Sequence, residues 1–183
     1  YGFSDPNHKY PLQDFLNEPD TNRLSRNDMI EKTIVAIKDS TRTQKVPVAI
    51  SEATWNQPES PYNSLYPFNH VYQSESGHVQ EFDDTPENER IHTYHKSGTF
   101  TEVDVNGTQV NKIIGDGYQI IDRNGYVYVK GAYNLTVDGV TNLFFRSDAN
   151  IDITGNAKIY ARNNVDMRVS GKMDLNVLED LNI

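Results

Sequence analysis

The second half of the chain repeats every eight residues. With position 107 as the first slot of the period, Val105, Ile113, Ile121, Val129, Val137, Phe145, Ile153, Ala161, Val169 and Val177 stand two residues before successive slots, and every one of them is apolar. In a chain that is 36% hydrophobic, such a run arises by chance only about 4 times in 10,000, even allowing for the choice of register. Four residues after the slots, Asn111 and Gln119 are polar, and Val127, Leu135, Leu143, Ile151, Ile159, Met167, Leu175 and Ile183 are apolar. Apolar residues on alternate positions predict a strand with one covered face. The slots themselves hold Gly107, Gly115, Gly131, Gly139, Gly155 and Gly171, and Asp116, Asn124, Asp148, Asn156, Asn164 and Asp180 follow slots. Glycine reaches φ > 0 freely and Asn or Asp bonds to nearby backbone. Each octad is therefore expected to be one straight edge and one corner, with the six glycines as corners and a left-handed backbone at slots such as Gly139.

A fixed period sets the whole fold. Eight residues cannot close a coil, but three such edges make a triangle. One chain could close it in 24 residues per turn, or three chains could wind together. A single chain would make little more than three coils and leave open strand ends that invite aggregation. Three intertwined chains make a longer prism with a shared core. The core residues expected there are Ile121, Val129, Val137, Phe145, Ile153, Val169 and Val177 from one register, with Leu135, Leu143, Ile151, Ile159 and Leu175 from the other. The polar Asn111 and Gln119 place the start of the dry core near Ile121.

Ahead of the octads the alternation is that of antiparallel strands. His70–Glu75 and His78–Asp83 flank Ser76-Gly77, Asp84–Asn88 forms a second turn around Pro86, and Arg90–Lys96 and Thr99–Val105 flank Ser97-Gly98. Residues 70–104 are thus an antiparallel β meander and 105–183 the octad region. Ile30, Ile34 and Ile37 lie on one face of a short helix over 28–39, with Asp28 and Glu31 at capping-box spacing. That helix and a Pro-rich linker fill residues 28–69. Residues 1–27 form an extended docking segment with Tyr1, Phe3, Tyr10 and Phe15 as anchors. The fold class is all-β, preceded by one short helix.

Composition sharpens this picture. A net charge of −9 and a mean hydropathy of −0.69 are lean for a compact monomer, and completing the core with other copies resolves the deficit. Eleven tyrosines and seven phenylalanines argue against wholesale disorder. The acidic balance speaks against nucleic acid as a partner. No apolar run approaches the roughly 20 residues of a membrane helix. Cysteine is absent, which removes disulfides and thiolate metal sites.

Candidate chemistry is thin. His70, His78, His92 and His95 fall in the meander, and His92 and His95 differ by three, which points them to opposite faces of a strand. Hydrogen-bonded structural histidines are expected, with no metal and no cofactor. Glu81 and Asp83 share a strand face, a spacing that glycosidase carboxylates use; beside Asp84 and a turn they read as ordinary surface, and no catalytic residue is expected. Phe144-Phe145 reads as core at Phe145 rather than as a ligand platform.

Three stretches carry a resemblance: Gly2-Phe3-Ser4-Asp5-Pro6 with Asp20-Thr21-Asn22; Ser74-Glu75-Ser76-Gly77-His78 with Phe82-Asp83-Asp84-Thr85-Pro86; and Arg90-Ile91-His92 through His95-Lys96-Ser97-Gly98-Thr99-Phe100. With octads behind them, they resemble the cell-puncturing central spikes of T-even-type contractile-tailed phages, and are similar to the valine–glycine repeat spikes of type VI secretion. The resemblance implies a homotrimer in the tail baseplate of a virion, whose octad needle is driven through the host envelope. It also implies a ring of hub proteins and a tip-capping protein as partners. The family's lysozyme domain has no room between Asn22 and Trp55, so peptidoglycan cleavage is not carried over. Two other functions stand beside the needle: a tail-associated β-helical polysaccharide depolymerase or carbohydrate-binding protein, and a bacterial secretion spike.

Overall fold

The computed structural model describes residues 21–27, 45–74 and 76–179. The expected helix over 28–39, and most of the docking segment over 1–27, lie outside the described residues. The chain divides into two units, Tyr1–Thr136 and Val137–Ile183.

The first unit is all-β among its described residues. Strands β1 (Lys45–Pro47) and β2 (Thr54–Asn56) pair as a small antiparallel hairpin in the stretch expected to be linker. Strands β3 (Asn69–Gln73), β4 (Val79–Asp83), β5 (Arg90–Tyr94), β6 (Phe100–Val103) and β7 (Gln109–Lys112) form one antiparallel sheet in sequence order. The turns expected around Gly77, Pro86 and Gly98 are where the chain reverses.

Three of the connections share one construction. Ser74–His78, His95–Thr99 and Asp104–Thr108 each close with a backbone bond between their end residues, and a glycine amide donates back to the first carbonyl: Gly77 to Ser74 at 3.0 Å, Gly98 to His95 at 2.8 Å and Gly107 to Asp104 at 2.9 Å. All three glycines have positive φ, +91°, +95° and +78°, where a Cβ is disfavoured. The Asp104 carboxylate also accepts from the amides of Asn106 and Thr108. Gly107 therefore closes the β6–β7 hairpin and is not an octad corner. The meander extends past residue 104 to Lys112, and Val105 lies in that turn. The period of eight happens to run back into a third copy of the hairpin turn, which is why the sequence counted Gly107 with the octads.

Beyond Lys112 the chain changes character. It is extended, and it bends at 114–115, 122–123, 130–131, 138–139, 146–147, 154–155, 162–163, 170–171 and 178–179, an interval of eight each time. Every bend includes a slot. None of the glycines in these slots has positive φ, which corrects the expectation of a left-handed corner at Gly139; a Cβ at Gly115, Gly131, Gly139, Gly155 or Gly171 would meet nothing within 4 Å in its own chain.

These backbones separate two classes of glycine. Gly107→Ala is expected to cost about 1 kcal/mol, a loss of several degrees in the melting temperature of the sheet, while Gly139→Ala in the isolated chain should cost less than half of that. Thermal unfolding followed by circular dichroism checks both.

Candidate functional site, a charged platform and an unpaired arm

In β4 and β5 the period-two alternation places charge, rather than hydrocarbon, on the covered face. Glu81, Asp83, Arg90, His92 and Glu102 are all buried, and Glu81 is fully so. Phe82 and Ile91, paired across β4 and β5, face out and are about half exposed. The reading of Glu81 and Asp83 as ordinary surface is thus overturned. The acidic residues go in because the sheet supplies a cation between them, and the apolar ones go out.

Arg90 is that cation. Its guanidinium donates from Nη2 to Glu81 Oε1 at 2.7 Å and from Nη1 to Glu102 Oε2 at 2.9 Å. The second oxygen of Glu81 lies 2.9 Å from His92 Nδ1, so that nitrogen carries the proton when the carboxylate is ionised. Asn69 Nδ2 donates to Glu81 Oε1 at 2.9 Å. His92 also packs edge-on against Phe100, with ring centroids 5.6 Å apart.

A single extended segment covers this face two residues at a time. Ser60 donates to Glu102 on β6, at 2.8 Å. The Tyr62 ring lies under the Arg90 guanidinium on β5, at 4.9 Å. Ser64 donates to Asp83 on β4. Successive residues on one side of an extended chain thus step across three successive strands, as the period of two requires. Asp83 also accepts from Thr85 Oγ1 at 2.6 Å and from the Thr85 amide at 3.1 Å. The turn at 21–27 completes the cover: Tyr62 Oη donates to the Leu24 carbonyl at 2.6 Å, Ser25 donates to the Asn69 carbonyl, and Asn22 donates to Gln73 at 2.8 Å. Leu24, Tyr62 and Val79 form the small apolar cluster within it.

Ionisation follows from these partners. Burial alone would raise the Glu81 carboxyl, but the His92 hydrogen bond, the Arg90 charge and the Asn69 donor outweigh it and hold Glu81 below its ordinary value. Burial opposes the charge on Arg90 as well, and Glu81 and Glu102 overcome it. Tyr62 is pushed up to about 12, first by burial and then by the Glu81 carboxylate. The cluster is a hydrogen-bonded structural network centred on Arg90 and Glu81. His70 stands 3.9 Å from Asp84 at the exposed surface, and the His78 and His95 rings lie 4.4 Å apart. Among the described residues these histidines and carboxylates do not converge on one point where a metal ion could sit.

The arm beyond the sheet is the opposite case. Past Lys112 the described chain makes no strand pairing and no backbone–backbone hydrogen bond. All its described residues are exposed except Thr136. The two expected core registers differ there. Ile121, Val129, Val137, Phe145, Ile153, Val169 and Val177 are 42–63% exposed, whereas Leu135, Leu143, Ile151, Ile159 and Leu175 are 64–92% exposed. In this register Ile113 and Ile121 reach across their bends: Ile113 Cδ1 and Ile121 Cδ1 come to 3.1 and 3.0 Å from where a Cβ would stand at Gly117 and Gly125. A single-chain coil would stack each octad on the one 24 residues later, and no such ladder is present.

Removing the cation should expose how much the platform depends on it. Arg90→Met leaves Glu81 and Glu102 buried without a counter-charge, and a loss of about 3–5 kcal/mol is expected, read as a lowered denaturant midpoint. Because Glu81 is more acidic folded than unfolded, its stabilisation is complete above its ordinary value of 4.5 and is lost as the pH falls through the folded value. The wild-type midpoint should therefore hold from neutral pH down to the carboxylate range and fall only below it.

No family model matches the chain. Two phage proteins do resemble it. Protein Gp5 of Vibrio phage KVP40 is 43% identical over an alignment covering 75% of this chain. The pre-baseplate central spike protein Gp5 of Enterobacteria phage T4 is 34% identical over 61% of it. The matched stretches span 39% and 20% of the lengths of those relatives. Over the part it shares with them, the chain is similar to Protein Gp5 of phage KVP40 and to the pre-baseplate central spike protein Gp5 of phage T4.

Proposed function

We propose that three copies of this chain wind their octad arms into one triangular β-prism, and that this prism is the needle of a phage baseplate central spike. The observation that carries the proposal is the arm itself. It is extended, bent every eight residues, apolar on alternate positions, and without strand pairing among the described residues. Backbone N–H and C=O groups beside a buried face must be paired, and copies of the same chain offer identical edges in identical register. In such a prism each octad of one copy pairs with the next octad of a neighbour. Gly115, Gly131, Gly139, Gly155 and Gly171 stand at its corners, and the two apolar registers fill its axis.

The function follows from mechanics rather than chemistry. A closed, laddered prism with a dry core resists bending and has no edge to fray. The charged platform at its base holds the segments at 21–27 and 57–64 firmly to the sheet, so that load on the needle passes into the rest of the protein. A spike of this kind works in the virion, in the tail baseplate, and pierces the host envelope on contraction. A ring of hub proteins at one end and a tip-capping protein at the other are the partners this reading calls for. The name of the T4 relative supports the assignment, as does the absence of a single-chain coil among the described residues.

Val137→Asp tests both the prism and its register. It sets three carboxylates close together at one level of the axis, where uncompensated charge is costly. The wild-type protein should run as an SDS-resistant trimer on unboiled gels and the variant as single chains. A variant trimer as resistant as the wild type would mean that Val137 does not face the axis.

A further inference from the structure

The β1–β2 hairpin has too few residues to stand alone, since a two-stranded ribbon is at best marginal in water. It carries Trp55, which faces Val46 directly across the pair, and Val46 and Val48 on that side are half-buried. Among the described residues outside the hairpin, its polar contact is with the arm: Thr136 Oγ1 donates to the Pro47 carbonyl at 2.7 Å. Thr136 is also the one described residue of the arm that is half-buried rather than exposed. The hairpin thus touches the arm at Thr136, which by alternation stands on the face opposite the apolar registers.

That outer face is unusual around Thr136. Residues of the same octad register, eight and sixteen positions earlier, are Tyr128 and Ile120, and the neighbouring outward register holds Tyr126 and Tyr118. All four side chains are more than four-fifths exposed, and they point away from the core of a prism, so assembly of the arms alone would leave them in water. Within one chain, a bend at 130–131 separates Tyr128 from Thr136, and Tyr128 remains 87% exposed beside its own hairpin. In the prism proposed above, on which this inference rests, the strand next to Thr136 on the same face belongs to another copy. That strand presents Tyr128 about one strand spacing away, roughly 4.8 Å.

We propose that the β1–β2 hairpin is a clasp between copies: Thr136 of its own chain anchors it, and Trp55 packs on Tyr128 of the neighbouring copy. The occupant of the aromatic outer face is then a named segment of the same protein. Each clasp ties two arms together from outside, where aromatic pairs add to area burial, and three of them girdle the start of the shaft at the stretch where Gly117, Gln119 and Gly125 leave the axis thinly filled.

Trp55 is the only tryptophan, so its fluorescence reports the clasp directly. In the wild-type protein its emission should be blue-shifted, and acrylamide should quench it several-fold less efficiently than it quenches a free indole. Tyr128→Ala should shift the emission to the red and raise the quenching toward the free value, with the native mass still that of three chains. Thr136→Val, which keeps the shape and removes the donor, should raise it part of the way. A three-chain particle whose Trp55 is quenched like free indole would overturn the clasp and leave the prism standing. A native mass of one chain would instead overturn the prism, and the clasp with it. If Tyr128→Ala prevents assembly, quenching of the wild type decides alone.

Discussion

The structure depends on one unmet need: a strand edge without a strand partner among the described residues of its own chain. Past Lys112 the backbone is stretched into edges that pair with no strand among the described residues, and alternate side chains are apolar and exposed. Neither condition survives in water on its own. In the proposed prism, pairing with identical copies would satisfy both at once, because the ladder and the core would close together. A lean hydrophobic content would then be no handicap, since each chain would supply a third of a shared core instead of the whole of a private one.

The platform ahead of the arm is stabilised in a different way. Its covered face holds three carboxylates, a guanidinium and an imidazole, and desolvating them is costly unless each finds its partners. Arg90 bridges Glu81 and Glu102, His92 takes the remaining oxygen of Glu81, and Ser64 and Thr85 share Asp83. Such a network tolerates one arrangement and penalises slippage. The segment carrying Ser60, Tyr62 and Ser64 can therefore cross β6, β5 and β4 in only one register. A rigid needle benefits from a base of this kind, because a slipped strand at the base would misalign every octad that follows.

Much of this was legible in the residues. The period of eight and the hairpin turns at Gly77 and Gly98 could be read because each repeats or alternates. Three features could not. Gly107 fell into the octad count because its turn lies eight residues before the first true slot, and only its backbone, with Asp104 capping the amides of Asn106 and Thr108, marks it as a hairpin. Glu81 and Asp83 were read as surface because carboxylates beside a turn are ordinarily solvated, yet Arg90 and the covering segment make theirs the inward face of β4. The clue was present in the match of Glu81, Arg90, His92 and Glu102 on one face of adjacent strands. The β1–β2 hairpin gave no local signal, since its strands are three residues long and its stability comes from what it leans on.

The central claim is that the arm's missing partners are other copies of the same chain. Light scattering on the purified protein tests it most directly. The account predicts a native mass of three times the 20.9 kDa of one chain. A folded particle with the mass of a single chain would contradict it, because the edges past Lys112 would then have to be satisfied by some means that the chain does not show.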